Sequence, residues 1–156
     1  MITKTLKVLH LLGLAMFLGS ILGHIAQGFV PGSASDPAAM LIGRQAIEVA
    51  TRGLTLPGLG LLALSGLALA IRGRLHPARQ RWLALHALAL PLIALSAFTV
   101  MLPTAAALLE AARAGDIGGF AALKGRESAF GALNLLLAVA AVVLGVVKPS
   151  LGRKEG

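Results

Sequence analysis

From Leu6 to Val30 the chain reads LKVLHLLGLAMFLGSILGHIAQGFV, and no Asp, Glu, Lys or Arg follows Lys7 within it. A hydrocarbon core of about 30 Å takes about 20 helical residues to cross. The run exceeds that length, so it either spans a bilayer or needs a soluble core large enough to enclose it. A chain of 156 residues, 57% hydrophobic and 13% charged, has no such core to offer. Its mean hydropathy is +0.87. The expected fold class is all-α, an integral membrane four-helix bundle forming a single domain. Leu and Ala dominate the long runs, and the alternating segments of a membrane barrel are missing.

His10 and His24 are the conspicuous polar groups of this first run, where few are tolerated. They stand 14 positions apart. At roughly 100° per residue this falls about 40° short of four turns, so both point to nearly the same side. Along the axis they are separated by roughly 21 Å, so one face presents an imidazole near each membrane surface.

Spans are expected at about 6–30, 54–71, 83–102 and 130–147. The first is read as an uncleaved signal-anchor, being too long for a cleavable leader, although Ser33-Ala34-Ser35 carries a weak cleavage signal. Residues 31–53 form an outer loop, with a short surface helix over Ala38–Ala50 after the turn signals Asp36-Pro37. Pro57 falls near the start of span two, where a proline costs least, and Ser65-Gly66 offers a close-packing point. Residues 72–82 form a basic loop ending at Trp82, an interface anchor; His76 within it is expected to face solvent or headgroups. Pro91 is expected to kink span three. The same helix is expected to run past Pro103 to Ala114 and end at Gly115. Residues 115–129 read as a Gly/Ala outer loop, and Pro149 stops the fourth span.

The net charge of +8 would suggest nucleic acid in a soluble protein, but its distribution points elsewhere. The head, the 72–82 loop and the tail hold nine cations (Lys4, Lys7, Arg72, Arg74, Arg79, Arg81, Lys148, Arg153, Lys154) against one acid, Glu155. The other side holds five cations (Arg44, Arg52, Arg113, Lys124, Arg126) against five acids (Asp36, Glu48, Glu110, Asp116, Glu127). The positive-inside rule then places both termini in the cytoplasm and the protein in a bacterial inner membrane. The excess charge serves topology and attraction to anionic lipid, not nucleic acid.

The chain has no Cys and no Tyr. Disulfides, thiol nucleophiles, cysteine-held iron–sulfur clusters, covalent C-x-x-C-H heme attachment and tyrosyl chemistry are therefore excluded. His10 and His86 each enter their spans about one turn deep from the cytoplasmic side, on helices that run parallel. That placement suits them as axial ligands to one heme b held between diagonal helices. His24 lies at the outer end of its span, where Met101 is the available soft ligand for a second heme, a metal or a quinone site. Imidazole also serves simply as an interhelical hydrogen-bond partner, and Ser65, Ser96, Thr99 and Asn134 suit that role. Gly19 and Gly23 form a GxxxG on the side away from the histidines, a surface for a neighbouring helix or for a homodimer.

The segments Leu6-Lys7-Val8-Leu9-His10-Leu11-Leu12-Gly13 and Phe17-Leu18-Gly19 resemble the opening of a four-span bacterial membrane family, the domain of unknown function 2269 type. The resemblance continues through Leu56-Pro57-Gly58, Ser65-Gly66-Leu67, Trp82 and Leu102-Pro103, covering most of residues 6 to 110. The wider set of similar proteins includes copper-resistance protein D and the HemJ-type protoporphyrinogen oxidases, whose early first-span histidine His10 matches. The HemJ-type resemblance implies heme binding through that histidine. Those enzymes carry a tryptophan after it and a lysine in the third span. Here Met16-Phe17 stands in the first place and span three holds no lysine.

The expected function is binding of heme b through His10 and His86, with electron transfer between a membrane carrier such as quinone and a redox partner protein. If the chain is an enzyme, it is a membrane oxidoreductase, although no nucleophile or acid–base pair stands out. Two rivals remain open: a copper-handling or transport protein using His10, His24 and Met101, and a cofactor-free accessory subunit packing through Gly19 and Gly23.

Overall fold

The computed structural model describes residues 2–74 and 80–149. His76, Arg79 and the charged tail residues Arg153, Lys154 and Glu155 lie outside them. The helices are α1 (Ile2–Gln27), α2 (Pro37–Ala50), α3 (Leu56–Arg72), α4 (Arg81–Ser96), α5 (Leu102–Ala114) and α6 (Ile117–Val147). Single π-helical turns, Thr51–Thr55 and Ala97–Met101, join α2 to α3 and α4 to α5. The described residues thus hold four continuous helical stretches long and apolar enough to cross a membrane: Ile2–Gln27, Pro37–Arg72, Arg81–Ala114 and Ile117–Val147. None of the described residues is in a strand.

All four of these stretches exceed the hydrocarbon slab, and three do so by a wide margin. At roughly 1.5 Å per residue a 31-residue helix reaches about 46 Å, well beyond a slab of about 30 Å. The expected outer loops are therefore mostly helix. The surface helix forms as expected, with the Asp36 carboxylate accepting from the Ala38 N–H at 3.0 Å and Pro37 in its first turn. It does not stop before span two, however. Pro57 consequently sits inside a long helix, not at its start, and the π turn immediately before it absorbs the missing N–H. Pro103 follows the second π turn in the same way, at the matching Leu-Pro pair. Pro91 is accommodated within α4, which stays helical to Ser96.

The expected 115–129 loop shrinks to a two-residue corner. Gly115 takes the left-handed conformation (φ 67°) that closes α5, and Asp116 caps α6 by accepting from the Gly119 N–H at 2.9 Å. The glycine pair after it does not break the helix, because Phe120 is buried against Met40, Leu108 and Ala112 in an outer core. A second core, Phe17, Ile21, Leu59, Ile93 and Ala138, lies between the membrane portions.

The membrane portion is built from two antiparallel pairs, α1 with α3 and α4 with α6. The pairs share one pattern. Gly13, Phe17 and Ser20 are buried three, seven and ten residues after His10; Ala89, Ile93 and Ser96 are buried three, seven and ten residues after His86. Such likeness between the halves of a membrane chain is the mark of a parallel internal repeat. The closest backbone approach is at Gly13 and Gly58: a Cβ on Gly58 would stand 2.9 Å from the Phe17 amide nitrogen. Gly19 and Gly23, in contrast, have no atom within 4 Å of such a Cβ. The GxxxG therefore packs on none of the described helices of its own chain.

Candidate functional site

At the end of the bundle that carries the basic loop, α1 and α4 bring His10 and His86 together. Their ring centroids are 6.3 Å apart and the planes are inclined at 46°. Both rings are partly buried.

Each ring is held by its own pair partner. His86 Nδ1 lies 2.8 Å from the Ala141 carbonyl oxygen on α6. A carbonyl only accepts, so Nδ1 carries the proton and donates it. His10 Nδ1 lies 3.0 Å from Ser65 Oγ on α3. The Ser65 hydroxyl donates its own hydrogen to the Leu61 carbonyl, so it accepts from His10 Nδ1–H. In both neutral rings the lone pair therefore falls on Nε2. The two anchoring bonds each span 55 residues of sequence, one in each half of the chain. Each ring also rests on a glycine: a Cβ at Gly66 or at Gly145 would lie 3.2 Å from Cε1 of His10 or His86 respectively. Trp82, one turn before His86, has the Lys148 ammonium 5.7 Å from its ring centroid, as an anchor at a charged membrane surface would.

The other end of the bundle holds a cavity of about 430 Å³, walled by both π turns and by α1, α2, α5 and α6. His24 and Met101 both line it. His24 Nε2 is 3.4 Å from Ser20 Oγ, which is 2.6 Å from Thr55 Oγ1. Asn134, 6% exposed, also lines the cavity, and its Oδ1 has no hydrogen-bond partner. Above it Arg44, 4% exposed, donates to Glu127 at 2.6 Å, and Lys124 approaches the same carboxylate at 3.8 Å. Both cations flank the Phe120 ring, at 5.5 and 5.9 Å from its centroid.

The structure thus brings His10 and His86 together at one end, while His24 and Met101 line one cavity at the other. Among the described residues no three His, Asp or Glu side chains gather into a metal-holding group. The sequence nominates neither the Ala141 carbonyl, being backbone, nor Arg44, read there as a loop cation. The equal spacing of partners from His10 and His86 was the signal available for the first. The apolar period of α2, with Met40, Gly43 and Ile47 buried beside Arg44, was the signal for the second.

In comparison with known proteins, residues 4–149 match the model of one family, described as "Predicted integral membrane protein (DUF2269)". No curated protein and no solved structure matches.

Proposed function

We propose, for a chain that belongs to the DUF2269 family of predicted integral membrane proteins, that His10 and His86 are the axial ligands of one heme b. The observation that carries this reading is the 6.3 Å centroid separation of two rings whose Nδ1 atoms are already engaged. With metal–nitrogen bonds of about 2.0–2.1 Å, two imidazoles sharing a metal have centroids roughly 6–6.5 Å apart. Ligating histidines characteristically donate their other N–H to a carbonyl or similar acceptor, which fixes the tautomer and raises basicity. Both rings meet that condition. Two imidazoles alone leave a small ion undercoordinated, so the donor set suits a group that brings its own equatorial nitrogens. The inclination of the planes is no obstacle, because two imidazoles on one metal need not be coplanar.

When bound, such a six-coordinate iron passes single electrons and offers no open position for oxygen chemistry. The proposed role is electron transfer between a membrane carrier such as quinone and a redox partner. The proposed setting is a bacterial inner membrane, with the basic end and both termini in the cytoplasm. Ser65 and Ala141 hold the rings in the ligating tautomer, and Gly66 and Gly145 leave the space in which they lie.

The absorption spectrum of the purified protein tests the reading. A reducible Soret and α band is expected, lost in His10→Ala and in His86→Ala. Full retention in both variants, or a protein that neither carries porphyrin nor takes up hemin, overturns it. One observation favours the copper reading: His24 and Met101 share a cavity wall, a nitrogen beside a soft sulfur. His10 lies roughly 21 Å away along α1 and so belongs to no site with them. Copper without porphyrin in metal analysis would select that reading. Neither signal would leave a cofactor-free accessory subunit.

A further inference from the structure

We propose that the cavity at the end remote from His10 and His86 binds the head ring of a membrane quinol, the reduced quinone, with a ring hydroxyl donating to Asn134 Oδ1 at the inner end. The proposal deepens the electron-transfer reading by giving the carrier a place.

Three observations carry it. The cavity, about 430 Å³, is of small-molecule size. Its inner walls are apolar, with Phe17, Ile21 and Leu135 among them. Into this apolar surround the chain places an amide that is 6% exposed and whose Oδ1 bonds nothing. A buried acceptor without a donor carries its full desolvation penalty, and native chains seldom leave one so.

The charges argue for a neutral guest. Arg44 and Lys124 both turn to Glu127, so the ionised groups at the rim are satisfied by one another. What remains unmatched is the amide oxygen, which suits a neutral hydroxyl donor and not an acidic headgroup. The mouth is greasy: Ile25 is 42% exposed and Phe29 82% exposed, so a tailed ring would enter from the bilayer.

The comparison between halves sharpens the case. Gly58 precedes Ser65 by seven residues, and Asn134 precedes Ala141 by seven. Where the first pair closes on a glycine, the second carries an amide facing a cavity.

The test is anaerobic titration of the purified full-length protein with decylubiquinol, the reduced quinone, together with photolabelling by a reduced azidoquinone and mapping of the labelled peptides. Saturable binding is expected, with label on the cavity walls. Asn134→Leu should weaken binding about tenfold, the loss of one well-placed hydrogen bond. Ser96→Ala, which removes another buried unpartnered oxygen that does not line the cavity, should leave binding unchanged. Gly131→Leu supplies a second obstruction, since a Cβ there already lies 4.0 Å from the Met101 methyl. Either cavity variant must retain the monodisperse elution of the parent to count. Binding within twofold of the parent in both, label confined to lipid-facing positions, or equal competition by decanol, which lacks the ring, overturns the proposal. Heme bands are read on the same samples. Quinol binding that persists in His10→Ala separates this site from the ligand assignment, so either one fails without the other.

Discussion

Ser65 is the side chain on which the His10 assignment can be probed most gently. Its hydroxyl receives the Nδ1 proton of His10, so Ser65→Ala should keep the ligand but free its orientation. Hemin affinity is expected to fall about tenfold or somewhat more, with the bands still present at saturation, as seen by hemin titration. No substitution removes the corresponding partner of His86, because it is a backbone carbonyl. Gly145→Val should disturb that ring instead, since the added carbon meets Cε1 at 3.2 Å. At the opposite end, the buried Arg44–Glu127 pair should behave asymmetrically. Glu127→Ala leaves a guanidinium uncompensated and is expected to cost about 3 kcal/mol in thermal unfolding in detergent, whereas Arg44→Met with Glu127→Leu should recover most of it. His10 and His86 were legible from sequence because a polar ring in an apolar span has few reasons to be there. Arg44 was not read as buried: the apolar period of α2 marks its face, but its partners come only from α2 folding against α5 and α6.

Two of the long helical stretches contain a passage that breaks the ordinary hydrogen-bond ladder, at Thr51–Thr55 and at Ala97–Met101, just ahead of Pro57 and Pro103. The sequence displays both Leu-Pro pairs openly. A proline is read from sequence as a start or a kink, however, because the alternative, a widened turn inside an unbroken helix, shows only in the backbone. The Gly118-Gly119 pair misled in the same manner: glycine weakens a helix, but an Asp cap and a buried Phe120 outweigh two such penalties. The glycines that matter most for packing are Gly13 and Gly58. Gly58→Val would drive a side chain into the α1 backbone and should destabilise the folded protein by about 1–3 kcal/mol or more. Gly19→Ala and Gly23→Ala face open space and should stay within about 0.5 kcal/mol of the parent. Parallel denaturation of the three variants checks the contrast.

At the scale of the whole molecule, four spans and the one-sided charge were readable because both follow from composition along the chain. The extent of helix beyond the bilayer was not, since polar helix and polar loop look alike without their packing partners. The absence of native cysteine makes orientation directly measurable. A membrane-impermeant thiol reagent added to spheroplasts should modify Arg113→Cys and spare Arg74→Cys until the membrane is opened; the reverse order would invert the topology. The division into two alike helix pairs has a further consequence. Each pair supplies one imidazole to the basic end, so neither could grip an axial pair there by itself. Under the proposed assignment, pigment in a preparation would then be a gauge of whether the halves had docked, and bleaching during unfolding would time their parting.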